Sequence, residues 1–95
     1  MAKVHYSTFA AADIYEHAEY IARDKPDAAY SWIESIEAAC EMLATNPEIG
    51  QHRKSHTHGY CRGFVCGNYV IFFRGVSDGV EIIHVIRGER DLDSL

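Results

Sequence analysis

The sequence predicts an α+β fold. An N-terminal strand is followed by an antiparallel helical hairpin and a three-stranded antiparallel meander, with the helices packed on one face of the sheet. Three observations carry this. Two consecutive stretches repeat apolar residues at the helical interval, with a single proline-bearing break between them. Three stretches after residue 59 are rich in β-branched and aromatic residues and are separated by tight-turn residues. The opening residues, Lys3 to Tyr6, read as a short strand.

The first helix is expected from Phe9 to about Arg23, where Ala11, Ile14, Ala18, Ile21 and Ala22 fall on one stripe. Ser7 or Thr8 precedes it and can accept hydrogen bonds from its first free amides. Asp24, Lys25, Pro26 and Asp27 break the pattern, because the residue before a proline avoids helical angles. Pro26 then fits the first turn of a second helix, where its missing N–H costs little. That helix runs to about Thr45. Ala29, Trp32, Ile33, Ile36, Cys40 and Leu43 form its apolar side, and Glu34, Glu37 and Glu41 lie away from it. So short a connection folds the two helices back on each other.

Residues 47–59 read as a polar loop. Three strands follow, over Tyr60–Cys66, Tyr69–Arg74 and Val80–Arg87, joined through Gly67–Asn68 and through Ser77, Asp78 and Gly79. The first strand, Lys3–Tyr6, is expected to join them in an antiparallel sheet. The segments 69–73 and 80–86 are apolar at nearly every position, whereas a sheet with one wet face alternates. Two consecutive helices cover only one face, so the other is expected to expose apolar side chains as a partner surface made of Tyr69, Ile71, Phe73, Ile82 and Ile86.

Composition narrows the function classes. The 95 residues suit one domain, 1–95, with a thin core that a partner can supplement. Hydrophobic residues at 47% and charged residues at 24% are the balance of a folded protein. No apolar run is long enough to span a membrane and no signal-peptide pattern opens the chain, so a cytoplasmic location is expected. Cys40, Cys61 and Cys66 are odd in number and form no C-x-x-C pair, which reads as reduced thiols. The net charge of −5 is concentrated in residues 1–45, with eight acidic and three basic side chains. Residues 46–95 carry six of each. An acidic chain lacks the basic excess of a dedicated nucleic-acid binder, which argues against direct nucleic-acid binding. His52, His56, His58 and Cys61 match no usual zinc spacing, and no nucleotide fingerprint is present, so neither metal nor cofactor is expected.

Five fragments in order carry a family resemblance. They are Ala12–Asp13–Ile14, then Tyr20–Ile21–Ala22, then Leu43 to Gly50 with its proline. The fourth is Arg62–Gly63–Phe64 followed by Gly67 to Ile71, and the last runs from Val85 to Leu92. Together they resemble the ParE/RelE toxin superfamily over essentially the whole chain, and the ParE-like, plasmid-stabilisation type more than the RelE type. One departure is Arg87, where the ParE-like ending usually has histidine.

The resemblance implies the toxin of a type II toxin–antitoxin system, a non-enzymatic inhibitor of DNA gyrase neutralised by a cognate antitoxin whose helix docks on the toxin. It leaves the catalytic set empty. Arg53, Arg62, Arg74, Arg87 and Arg90 are the residues expected to contact the target or the antitoxin. Arg62 and Arg74 would sit on a polar side of a partly covered sheet, and Arg90 beside Asp91 also reads as a local ion pair. The alternatives are a ribosome-dependent mRNA interferase of the RelE kind and an inactive binding module on the same fold. An interferase needs cations for the scissile phosphate and a proton carrier. Those arginines with Lys54 supply the first, and His84, Tyr60 or Tyr69 the second. Its C-terminal residues lack the Tyr or His with which the family's nucleases commonly close. His84, in an apolar strand on the side of Ile82 and Ile86, reads as a hydrogen-bonded structural residue.

Overall fold

Seven elements build the chain in a computed structural model that describes residues 2–55 and 59–88, with backbone alone for 51–55 and 59–60. In order they are β1 (Lys3–Tyr6), α1 (Thr8–Ala22), α2 (Pro26–Thr45), β2 (Gln51–Ser55), β3 (Gly59–Cys66), β4 (Tyr69–Val76) and β5 (Gly79–Arg87). The strands form one sheet in the order β1-β5-β4-β3-β2.

Ser7 ends β1 and starts α1. Its hydroxyl oxygen accepts from the Ala10 N–H at 3.0 Å and its O–H donates to the Ile83 carbonyl at 2.7 Å, so one side chain caps the helix and fixes it to β5. Pro26 occupies the first turn of α2. The β3–β4 turn uses Gly67 at φ 61°, a left-handed angle that glycine adopts without strain. At Gly79 a Cβ would lie 1.9 Å from the Lys3 carbonyl oxygen, so only glycine lets β1 pack beside the start of β5.

Two features depart from the sequence reading. The pairing of β1 with β5 is parallel, Lys3 opposite Gly79 through Tyr6 opposite Ile82, so the sheet is mixed and not wholly antiparallel. No tight turn joins these two strands, and the hairpin constraint that enforces opposite directions is absent between them. Within the predicted polar loop, Gln51–Ser55 forms β2 and pairs antiparallel with β3. An edge strand needs ladder bonds on one side only and tolerates charged residues, so its sequence carries no hydrophobic signature.

The sheet separates two apolar clusters. Toward the helices, Ala10, Ile36, Cys40, Leu43 and Ala44 pack on Ile71, Phe73, Val80, Ile82 and Val85. On the opposite face Cys61, Val70, Phe72, Ile83 and Ile86 form a smaller cluster. A bulge creates this division on β5. Phe72 stands opposite His84 and Phe73 opposite Ile82, which leaves Ile83 without an opposite residue and reverses the facing of everything beyond it. Ile82 therefore turns to the helices while Ile86 turns away, and they do not share a side with His84 between them.

Candidate functional site

The expected exposed apolar sheet surface is not there. Ile71, Phe73 and Ile82 are fully buried beneath the helices, and Tyr69 packs against the same cluster. The five apolar residues of the opposite face are at most 8% exposed in the single chain. The near-continuous apolar runs in β4 and β5 are divided between two filled clusters. They do not leave one face greasy and open.

An open apolar groove with exposed aromatic residues lies on the helical hairpin instead. Ala10 is the one buried residue in α1. Ile14, Ala18 and Ala22 from its predicted apolar stripe line a groove with Ala29 and Ile33 of α2. The groove has a volume of about 450 Å³. Tyr15 and Tyr30 stand at its rim, 62% and 71% exposed, and Tyr20 is 66% exposed on the same helix as Tyr15. These tyrosines lie outside the two stripes read from the sequence. Their signal was present, however, as three large aromatic residues on faces that solvated helices fill with charge. Pro26 also lines the groove, so the break that folds the helices together contributes to its wall.

A second aromatic group sits where the helices meet the end of the sheet. His17 of α1, Trp32 of α2 and Tyr69 of β4 have ring centroids 4.9–5.9 Å apart. The Trp32 indole N–H is buried among them without a hydrogen-bond acceptor. Burial raises the Tyr69 hydroxyl above its ordinary pKa, opposed by the charge of Arg87, its cross-strand partner.

Asp13 joins α1 to the part of β5 that extends beyond β1. One of its carboxylate oxygens accepts from the Val85 N–H at 3.0 Å and lies 2.8 Å from His84 Nδ1. The Phe9 ring stacks beside that imidazole at 5.2 Å. His84 is thus a hydrogen-bonded structural residue, and a carboxylate satisfies a strand amide that would otherwise lack a ladder partner.

Among the described residues, the structure does not gather Arg62 and Arg74. Arg62 turns to the helix side, where its guanidinium donates to the Gly50 carbonyl at 3.4 Å. Arg74 turns to the other face and pairs with Glu81 at 2.7 Å. These two do not form one polar side, because residues 62 and 73 stand opposite each other and residue 74 therefore faces the other way. Arg87 is exposed at the end of β5, opposite Tyr69. Arg53 is placed by its backbone opposite Cys61. Arg90, with Asp91, lies outside the described residues, as do His56 and His58. Among the described residues no cluster of His, Cys, Asp or Glu is arranged to hold a metal, and no helix is long and apolar enough to cross a membrane.

Comparison with known proteins bears on this arrangement. A search among curated proteins finds no match. Among solved structures, a chain described as "Chromosomal ParDE TA system from P. aeruginosa" superposes with a TM-score of 0.74 at 21% identity. The match covers 94% of this chain and 98% of that one, and it establishes a shared fold. The family model described as "ParE toxin of type II toxin-antitoxin system, parDE" matches residues 4–92, from β1 to beyond β5. The chain therefore belongs to the ParE toxin family of type II toxin–antitoxin systems.

Proposed function

We propose that this toxin acts by binding DNA gyrase, without making or breaking a covalent bond, and that a cognate antitoxin silences it by laying an amphipathic helix into the groove of the helical hairpin. The observation that carries the antitoxin reading is the groove itself. It is lined by Ile14, Ala18, Ala29 and Ile33 and rimmed by Tyr15 and Tyr30. A row of small and branched apolar residues between exposed aromatic rings is the surface that helix-in-groove recognition uses. Tyrosines contribute large contact area at low entropic cost.

A binding mode of action is supported by the state of the proton carriers. His84 is held by Asp13, and Tyr69 is packed against Trp32 with its proton retained more firmly than in water. Arg62 and Arg74 point to opposite faces of the sheet, so these two do not converge on one phosphate-sized position. Arg53, Arg62, Arg87 and Arg90 remain the proposed contacts to gyrase. This reading puts the protein in the cytoplasm with its target, and makes retention of the replicon that carries the pair its physiological output.

One feature favours an mRNA interferase as the second reading: Arg87 stands beside Tyr69 and favours its ionised form, a cation next to a phenol. A gyrase supercoiling assay with the purified chain separates the two. Gyrase is expected to lose supercoiling activity and to recover it when antitoxin is added. Unaffected gyrase together with transcripts cut inside translating ribosomes establishes the interferase. Neither effect, with normal growth on expression, identifies an inactive binding module. Tyr15→Asp and Tyr30→Asp, both at exposed positions, are expected to weaken antitoxin binding while leaving gyrase inhibition in place.

A further inference from the structure

The strand β1 ends the sheet, and among the described residues no strand stands on its outer side. The Lys3 N–H donates to the Asp78 carbonyl at 2.7 Å and the Ser7 N–H to the Ile82 carbonyl at 2.9 Å. The odd-numbered residues thus turn their backbone groups to β5. Backbone groups alternate along a paired strand, so the N–H and C=O of Val4 and Tyr6 face outward. Beside them lies a groove of about 530 Å³ between β1 and α2, lined by Ala2, Val4, Tyr6, Glu37, Glu41 and Thr45.

That groove is acidic on its helical wall. Glu37 and Glu41 are one turn apart on α2, where like charges work against the helix. Among the described residues neither carboxylate has a cationic partner. Burial first, then Cys40, then these two glutamates raise the pKa of the Tyr6 hydroxyl, which places their charge close to it. A cation set between them would relieve the repulsion. The chain does not supply one from β1, because Lys3 and His5 alternate to the opposite face, where His5 Nε2 lies 2.8 Å from Asp78. A second copy pairing edge to edge through β1 would likewise bring Val4 and Tyr6 to the groove, and no lysine or arginine.

From the open edge and the unneutralised glutamates together, we infer that β1 accepts an added strand from the antitoxin, with a lysine or arginine of that strand seated between Glu37 and Glu41. This rests on the reading that an antitoxin binds the toxin, and it adds a second contact, further along α2 from the hairpin groove, beginning one turn beyond Ile33. Main-chain bonds to Val4 and Tyr6 would give affinity, and the basic residue would fix the register.

The test is residue-resolved amide exchange by NMR on the free toxin and on its complex with co-expressed antitoxin. The Val4 and Tyr6 amides are expected to exchange rapidly in the free chain and about a hundredfold more slowly in the complex, while those of His5 and Ser7 are protected in both. E37K/E41K is expected to weaken the complex about tenfold and to keep the melting temperature of the free toxin, with E37Q/E41Q in between. A tight complex in which Val4 and Tyr6 exchange as in the free chain overturns the inference and leaves the antitoxin reading intact. Protection that appears in the free toxin as its concentration rises indicates self-pairing and also overturns it. The absence of any complex removes the antitoxin reading and this inference with it.

Discussion

Phe72 and Phe73 are adjacent on β4, and both are buried, but the sheet puts them in different surroundings. Phe73 belongs to the cluster between sheet and helices, which draws on α1, α2, β4 and β5. Phe72 belongs to a cluster of five residues from β3, β4 and β5 alone. The first face joins elements far apart in the chain, so it holds the fold together. The second adds burial to strands that are already paired. On that second face the ladder turns polar toward β1, where His5, Glu81 and Arg74 stand side by side across three strands. Exposed Val65 marks its far corner.

This contrast can be broken by substitution. Phe73→Ala is expected to destabilise by about 4 kcal/mol and Phe72→Ala by about 3 kcal/mol, measured by urea unfolding, since the smaller cluster can collapse further into the space left behind. Equal values would mean that the two faces contribute alike. Gly79→Ala comes next, at about 3 kcal/mol. Its Cβ would collide with the Lys3 backbone and push β1 from the sheet, which a loss of amide protection at His5 would report.

Asp13→Ala is expected to cost about 2 kcal/mol, because it leaves the Val85 N–H without an acceptor and removes the partner of His84. A comparable effect is expected from alkali. Burial pushes the Cys40 thiol from 9.0 up to about 11, with Tyr6, Glu37, Glu41 and Cys66 around it. A folded-state value above the unfolded one means stability that is complete below pH 9 and declines as pH rises toward 11. The melting temperature should follow that course in the native chain, and the decline should begin at higher pH in Cys40→Ala. Arg74→Ala on the polar part of the second face is expected to change stability by less than about 1 kcal/mol, because its pair with Glu81 is largely in water.

The two halves of the chain also differ in how much their residues revealed. Both ends of helix α2 were legible, because Pro26 and the Asn46–Pro47 stop act locally, and Ile36, Cys40 and Leu43 of its stripe are fully buried. A cap at Ser7 or Thr8 was legible for the same reason, and the structure uses Ser7. Helix α1 was legible as a helix and only in part as a core element, since Ile14 packs on the core while Ala18 and Ala22 line a groove. Periodicity shows that a face is apolar and not what covers it. In the sheet, the bulge at Ile83 reversed the facing of Ile86, and no residue in Glu81–Ile86 announces an extra position in the ladder. The aromatic group of His17, Trp32 and Tyr69 spans more than fifty residues of sequence and leaves no pattern within any one of them.

The sequence by itself determined the order of helices and most strands, the turns between them and the family, because caps, prolines, glycines and short apolar periods act over a few residues. Tertiary structure alone decided that β1 runs parallel to β5, that polar Gln51–Ser55 becomes a strand, and that the apolar runs of β4 and β5 are buried while the helical hairpin keeps an open apolar groove. Each of those outcomes depends on which distant segment arrives alongside, and pairing partners are chosen by the packing of the whole chain.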